Sequence, residues 1–385
     1  IVMSQRFKVL QLQPDYNVKS HDFADLAEQI VKALPAERYE VTAAFLRGRP
    51  GPNDPVSRAA HSVYFEFSDK SLKGMRLRAM WRLYQFCRKE QFDVVICNRF
   101  KPVNMMLTLN RWLKVPLCIG ISHGFGEYDR LYRRRQTQRL IDRHWRFVGV
   151  SPAVKQYLLD CQCGFTDQNT WAITNAIDIE QAEALQHSRE RSRELLGLAP
   201  DVRLIGALGR LVPVKGHTYL LQAFAQLKDK YPKTQLAIIG AGREEANLRA
   251  EIERLGLQGR AHLLGFKENA LQYVRAFDIW TMPSLAEGLG LALLEGMSGQ
   301  LPVIASNVPA MLPLIEGAGG LAVEPANVSA LVTALDAYLG LSDEELAAKG
   351  QQAYAYLQKE HDIEVFREEY RQLIDSGLSQ AGKRQ

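Results

Sequence analysis

A chain of 385 residues with 46% apolar and 24% charged residues has the mixture of a folded globular protein and exceeds the size at which one hydrophobic core keeps growing, so two domains are expected and extensive disorder is excluded. The formal net charge of +5 is unevenly placed, with Lys and Arg in excess over the first 170 residues and Asp and Glu in excess over the rest, which suggests that one half meets an anionic surface or acceptor. The longest apolar runs, residues 236–239 and 291–294, fall far short of the roughly 20 residues of a membrane-spanning helix, and five scattered cysteines, Cys161-Gln162-Cys163 among them, suit free structural thiols better than disulfides or zinc.

Ile1-Val2-Met3-Ser4 leads into the first strand with no apolar signal core, so Met3 is read as the native start and residence in the cytosol is expected. Residues 7–12 read as a strand ending in Pro14-Asp15. Residues 22–34 then carry Phe23, Leu26, Ala27, Ile30 and Leu34 at helical spacing. Residues 39–46 are strand-like, 76–89 helix-like, 93–97 strand-like, 103–112 helix-like and 116–122 strand-like, an alternation that implies parallel βαβ units. The pattern restarts with strands at 203–208, 235–239, 261–264 and 279–282 and helices at 218–231 and 244–255. The expected fold is α/β, with two doubly wound Rossmann-like domains whose parallel sheets face a central cleft. Residues 1–174 form the first domain, with the basic surface, and 175–360 the second. Residues 361–385 form a C-terminal helix, amphipathic over 365–374, that packs back toward the first domain and ends in a frayed polar tail from residue 379. Ligands of open parallel sheets bind beyond the carboxyl ends of the strands, which is where functional residues are sought.

The strand at 204–208 runs into Gly209-Arg210-Leu211-Val212-Pro213-Val214-Lys215-Gly216 and then a helix. Two glycines permit a tight loop, and Arg210 and Lys215 place two cations beside a helix N-terminus, which suits a diphosphate; an ordinary βα turn with solvated cations is the plain alternative. The strand at 279–282 runs into Pro283-Ser284-Leu285-Ala286-Glu287-Gly288-Leu289-Gly290-Leu291, with Glu295 about two turns into a helix starting near Leu289. Gly288 and Gly290 let the backbone approach a ligand, the free N–H groups of the helix start attract an anion, and Glu295 can accept from ribose hydroxyls. Gly240-Ala241-Gly242-Arg243-Glu244-Glu245 imitates a dinucleotide fingerprint, but Glu245 stands where the third glycine must be, which argues against a dehydrogenase.

G-R-L-x-x-x-K-G at 209–216 followed by E-G-x-G-L-x-x-x-E at 287–295 resembles the family-4 retaining glycosyltransferases of the GT-B fold, of the bacterial cell-surface polysaccharide or lipopolysaccharide type. The similarity spans most of residues 171–371: Ile173-Thr174-Asn175-Ala176-Ile177-Asp178 looks like the family's hinge, and Leu263-Leu264-Gly265-Phe266, with Lys267, like its base-binding strand end. The resemblance implies that Arg210 and Lys215 contact the donor diphosphate, Glu295 the ribose and Glu287 the transferred sugar, with the 288–291 loop against the phosphates. It implies that His123, at the end of the strand 116–122, faces the transferred sugar, and that anomeric configuration is retained with no enzymic nucleophile. No Asp-x-Asp triplet, the metal anchor of the other large glycosyltransferase fold, occurs, so neither a metal nor a cofactor is expected. Where many members have Gly-Gly in the first loop this chain has Asn17-Val18, and Asn17, Lys19 and His21 are candidate replacements. Asn98 and Arg99, also after a strand, are assigned to acceptor recognition.

Residues 70–89 interleave Lys70, Lys73, Arg76, Arg78, Arg82, Arg88 and Lys89 with Leu72, Met75, Leu77, Met80, Trp81, Leu83, Tyr84 and Phe86. Residues 128–146 add seven arginines, with Tyr132 and Trp145 among them. Basic residues mixed with aromatics suit an anionic membrane face, whereas half-buried helices with solvated outer faces are the plain reading. The expected partners are a nucleoside-diphosphate sugar, UDP-linked on the family's pattern, a glycan or lipid-linked acceptor and the inner face of a membrane, and no nucleic acid. A nucleotide-sugar epimerase or a noncatalytic nucleotide-sugar-binding protein remains as an alternative.

Overall fold

The computed structural model of the protein describes residues 6–19 and 25–382. The chain divides into two compact units, one of Ile1–Asn175 with Ile363–Gln385 and the other of Ala176–Asp362.

The first unit comprises β1 (Phe7–Asp15), α1 (Leu26–Ala33), β2 (Tyr39–Arg47), β3 (His61–Tyr64), α2 (Leu77–Glu90), β4 (Val94–Asn98), α3 (Phe100–Leu113), β5 (Leu117–Ser122), α4 (Leu131–Leu140), β6 (Trp145–Gly149), α5 (Pro152–Asp160) and β7 (Thr170–Ala172). The second comprises α6 (Ile179–Leu185), α7 (Arg189–Leu196), β8 (Arg203–Leu208), α8 (His217–Leu227), β9 (Thr234–Ile239), α9 (Glu245–Arg254), β10 (Ala261–Leu263), β11 (Ile279–Met282), α10 (Leu291–Ser298), β12 (Val303–Ser306), α11 (Leu312–Gly317), β13 (Leu321–Val323), α12 (Val328–Leu339) and α13 (Asp343–Glu360). The last helix, α14 (Ile363–Gly382), belongs to the first unit.

Each unit is built on one parallel sheet, ordered β3-β2-β1-β4-β5-β6-β7 in the first and β10-β9-β8-β11-β12-β13 in the second. Helices cover such sheets on both faces, so central strands are apolar without alternation: every residue of Val94-Val95-Ile96-Cys97-Asn98 is buried. In each order the chain reverses direction across the sheet once, between β1 and β4 and between β8 and β11. These two switch points are where the loops leave the sheet in opposite directions and open a crevice at its carboxyl edge.

The expected alternation is confirmed, with additions and shifts that have local causes. Strands β3, β7, β12 and β13 are only three or four residues long and gave no readable period. Trp145 and Arg146, expected in the basic surface stretch, instead lie in β6, 2% and 9% exposed. Arg146 donates to the Leu373 carbonyl (3.1 Å), Ser376 Oγ (2.8 Å) and Gln380 Oε1 (2.5 Å), and its guanidinium stands 5.2 Å from the Trp171 ring. These contacts hold α14 on the first unit, and they correct the expectation of a frayed tail: the helix continues past Ser379 to Gly382. The five cysteines are buried and free. Among the described residues no helix is long and apolar enough to cross a membrane.

Candidate functional site

The switch point of the second unit is built from the loops that follow β8 and β11, adjacent strands paired through Ile205 and Ile279. After β8 the chain passes Arg210, buries Leu211 as an anchor, makes a short 3-10 turn at Pro213–Lys215 and enters α8 through Gly216. Gly216 has φ of 69°, and a Cβ there would lie 2.0 Å from the Pro283 carbonyl oxygen, so only glycine lets the two loops touch. A backbone hydrogen bond from Leu285 N–H to the Val214 carbonyl (2.7 Å) ties them together.

That approach brings Lys215 and Glu287 into an ion pair, Nζ to Oε1, with side chains 20% and 11% exposed. Ser284, 1% exposed, donates its hydroxyl to the same Glu287 oxygen at 2.9 Å. Two residues 72 positions apart in the chain, one expected at the diphosphate and one at the sugar, are therefore in direct contact. Arg210 is exposed, with no partner for its guanidinium among the described residues. A cation tied to a carboxylate next to a free one leaves a locally positive rim at the N-termini of α8 and α10, an arrangement that attracts phosphate.

Gly288, Leu289 and Gly290 lead into α10, which starts at Leu291 rather than near Leu289 because Gly290 turns left-handed (φ 66°) as its N-cap. Glu295 consequently sits little more than one turn into the helix, not two, and is half-buried. Gly265, Phe266 and Lys267 follow β10, two strands across from β8, about 10 Å at ordinary strand spacing. Phe266 is 76% exposed, a free aromatic face on the same carboxyl edge. The glycine turn at 240–242 joins these pieces: Gly240 N–H donates to the Gly265 carbonyl (3.0 Å), and a Cβ on Gly240 would fall 1.9 Å from the Gly209 carbonyl oxygen. Its glycines thus serve loop packing, which accounts for a fingerprint without its third glycine.

The sequence reading passed over two groups here. Ser284 is the hydroxyl that fixes Glu287. His217, 4% exposed at the first position of α8, has its pKa pulled down to about 4 by burial, opposed by the nearby Arg210 carbonyl and aided by Lys215. Neither ring nitrogen has a hydrogen bond of good geometry among the described residues. Its place directly after Lys215-Gly216 was the available signal.

In the first unit, His123 follows β5 and Asn98 ends the neighbouring β4, and His123 Nε2 lies 3.2 Å from Asn98 Oδ1. Burial, with Arg99 adding to it, pulls the His123 pKa down to about 3, so the ring is neutral at physiological pH. With Oδ1 as its acceptor, Nε2 carries the proton and Nδ1 is left to accept, a pattern suited to hydroxyl groups. Asn98 Nδ2 is buried without a partner among the described residues. Arg99 has φ 68° and ψ 170°, a region nearly reserved for glycine that costs on the order of 1–3 kcal/mol, at the β1/β4 switch point. Asn17 and Lys19 are exposed just beyond β1 at the same switch point, and His21 lies outside the described residues. The sequence reading also missed Glu127, four residues after His123. Burial pushes its carboxyl up to about 7, against the opposing pull of Ser122, Arg99, the Phe100 N–H and Arg133, and Oε2 has no partner among the described residues.

Residues 26–181 match the family described as Glycosyltransferase Family 4, and residues 188–356 the one described as Glycosyl transferases group 1. The chain is 24% identical over 276 residues to UDP-Gal:alpha-D-GlcNAc-diphosphoundecaprenol alpha-1,3-galactosyltransferase of Escherichia coli, spanning 67% of this chain and 69% of that one. It is 27% identical over 309 residues to GDP-mannose-dependent monoacylated alpha-(1-6)-phosphatidylinositol monomannoside mannosyltransferase of Corynebacterium glutamicum, spanning 76% and 78%. Other curated relatives align over about half of their own length or less. Among solved structures, HepE of Anabaena in complex with UDP superposes with a TM-score of 0.79 at 20% identity, over 96% of this chain and all of that one. That likeness establishes a shared fold.

Proposed function

Because this chain belongs to the family-4 glycosyltransferases of the GT-B fold, we propose that it transfers a sugar from a UDP-sugar, with retention of configuration and without a metal, to a glycan or lipid-linked acceptor of a bacterial cell-surface polysaccharide or lipopolysaccharide. The observation that carries this reading is the meeting of Lys215, Glu287 and Ser284 at the β8/β11 switch point, beside the exposed guanidinium of Arg210 and the start of α10.

In this reading Arg210 and Lys215 bind the diphosphate and neutralise the negative charge that grows as the glycosidic bond breaks, a task that a metal cation performs in other enzymes. The 288–291 loop offers backbone N–H groups to the phosphates, and Glu295 accepts from the ribose hydroxyls. Gly265, Phe266 and Lys267 hold the base. Lys215 exchanges Glu287 for phosphate, which releases the carboxylate to the hydroxyls of the sugar, and the neutral His123 binds others. The acceptor oxygen bonds to the anomeric carbon on the face that the diphosphate leaves, and the leaving phosphate takes the acceptor's proton, so no side chain need act as general base or as nucleophile. Asn98, Arg99, Asn17 and Lys19 serve donor-loop or acceptor contacts. The basic and aromatic surface of α2 and α4 rests on the inner face of an anionic membrane, where a lipid-linked acceptor resides.

A thermal-shift panel of UDP-, GDP-, TDP- and ADP-sugars tests the reading, because a ligand that binds only the native state raises the melting temperature. The expected result is a shift with UDP-sugars above all. A folded protein that responds to none of the four refutes it. A changed sugar released without an acceptor identifies an epimerase instead.

A further inference from the structure

The first unit has a concavity that no step of the proposed transfer uses. Between α3 and α4 lies a cavity of about 960 Å³, lined by Arg111, Arg135 and Arg139 and walled by Leu131, Tyr132 and Ile141. None of the three guanidiniums has an ion pair or hydrogen bond among the described residues. The acid at the cavity's edge, Asp142, is already engaged, accepting from the His144 backbone N–H (2.9 Å) and facing its ring Nδ1 (3.0 Å). Arg135 and Arg139 are four residues apart on one helix, a like-charge spacing that destabilises the helix carrying it. An anion held between them relieves that repulsion.

The surroundings indicate which anion. Arg76 at the start of α2 donates to Asn104 Oδ1 on α3 (2.8 Å), and Asn104 Nδ2 donates to Gln136 Oε1 on α4 (3.0 Å), so the three helices are cross-tied. Around this tie Met75, Leu77, Trp81, Leu131 and Tyr132 are between 58% and 79% exposed. A dissolved anion needs no such apolar fringe, whereas a bilayer presents phosphate and hydrocarbon together.

We propose that the cavity between α3 and α4 is a headgroup site that takes the phosphate of an anionic phospholipid on Arg111, Arg135 and Arg139 while Leu131 and Tyr132 enter the interfacial layer. The proposal rests on the membrane contact in the reading above and adds to it a discrete site.

Co-sedimentation of the full chain with phosphatidylcholine vesicles containing phosphatidylglycerol tests it, comparing wild type, the neutralised variant Arg111→Gln/Arg135→Gln/Arg139→Gln and a control that removes three cations from the second unit, Arg191→Gln/Lys349→Gln/Lys359→Gln. At about 1 kcal/mol per cation near the surface, the first variant should bind roughly a hundredfold more weakly and the control close to wild type. Equal losses in both would mean that net charge alone is sensed, and no loss in the first that the cavity is idle; either overturns the proposal. Wild type that ignores anionic vesicles overturns the membrane reading as well. Thermal protection by inorganic phosphate or glycerol 3-phosphate without vesicle binding would make the site one for a soluble anion and also overturns the lipid assignment. A circular dichroism spectrum and unfolding transition matching those of wild type show that the first variant is folded.

Discussion

Replacing Lys215 by Ala and Glu287 by Gln should move UDP binding in different directions, although both changes break the same ion pair. Lys215 is held by Glu287, with 20% and 11% of the side chains exposed. Binding of UDP replaces that contact by a charge-assisted one to phosphate, of about 1.5–3 kcal/mol before the exchange is counted. Lys215→Ala forfeits the phosphate contact and should weaken UDP by about 10- to 100-fold, the upper part of the range being reduced because the wild type gives up its pair on binding. Glu287→Gln leaves Lys215 without a competitor, so UDP itself should bind as well as or better than in wild type, while transfer falls because the sugar contact is gone. Stability should fall in Lys215→Ala, since a largely buried carboxylate keeps only Ser284, by about 1–2 kcal/mol after allowance for its remaining exposure. The variant lacking both side chains should recover part of that loss, a coupling a double-mutant cycle measures. Isothermal titration with UDP and denaturant unfolding supply the data. Unchanged UDP affinity in folded Lys215→Ala, or a large loss in Glu287→Gln, would refute the exchange.

Further outcomes follow from the same geometry. Arg210→Ala should reduce kcat more than it weakens UDP, because an exposed guanidinium gains most where charge develops; steady-state kinetics against UDP titration decides it. His123 and His217, with pKa values pulled down to about 3 and 4, are neutral in the fold while the unfolded chain protonates them below about 6.5. Stability therefore rests on their neutrality above that pH and is lost as pH drops from 6.5 toward 4. Glu127 has the opposite sign: its raised pKa means the folded state binds more protons between pH 4.5 and 7, so stability falls as pH rises through that window, by at most about 3 kcal/mol. Over pH 4.5 to 6.5 the two histidines oppose Glu127, so the melting temperature of Glu127→Gln should rise more steeply with pH than that of wild type, and parallel curves would show that the carboxyl is ionised throughout. Arg146→Ala removes three hydrogen bonds to α14 and should cost about 2–4 kcal/mol in unfolding, with faster amide exchange in α14; exchange unchanged there would mean that the helix is held by its apolar face alone.

The basic and aromatic stretches show how far local pattern reaches. Within that first stretch residues 77–89 do form a helix, with Leu83 and Ala79 buried and Trp81 and Leu77 exposed, but composition could not say which apolar residues face solvent. In residues 128–146 it misled, since Trp145 and Arg146 turn inward on β6 while Arg135 and Arg139 stay out. Strands β12 and β13 were not read, although β10 and β11, just as short, were, because three or four residues hold too little period to be read consistently.

By itself the sequence determined the repeating strand and helix units, the parallel α/β class and the two loops with Arg210, Lys215, Glu287 and Glu295, because periodicity, glycine placement and charge are local properties that survive without partners. Only the tertiary structure decided that β8 and β11 are neighbours across a switch point, that Lys215 therefore pairs with Glu287, and that His217, Glu127 and Ser284 stand beside the expected groups. Those are relations between residues far apart in the chain. They depend on strand order and on backbone contacts such as Gly216 against Pro283, which no local pattern encodes.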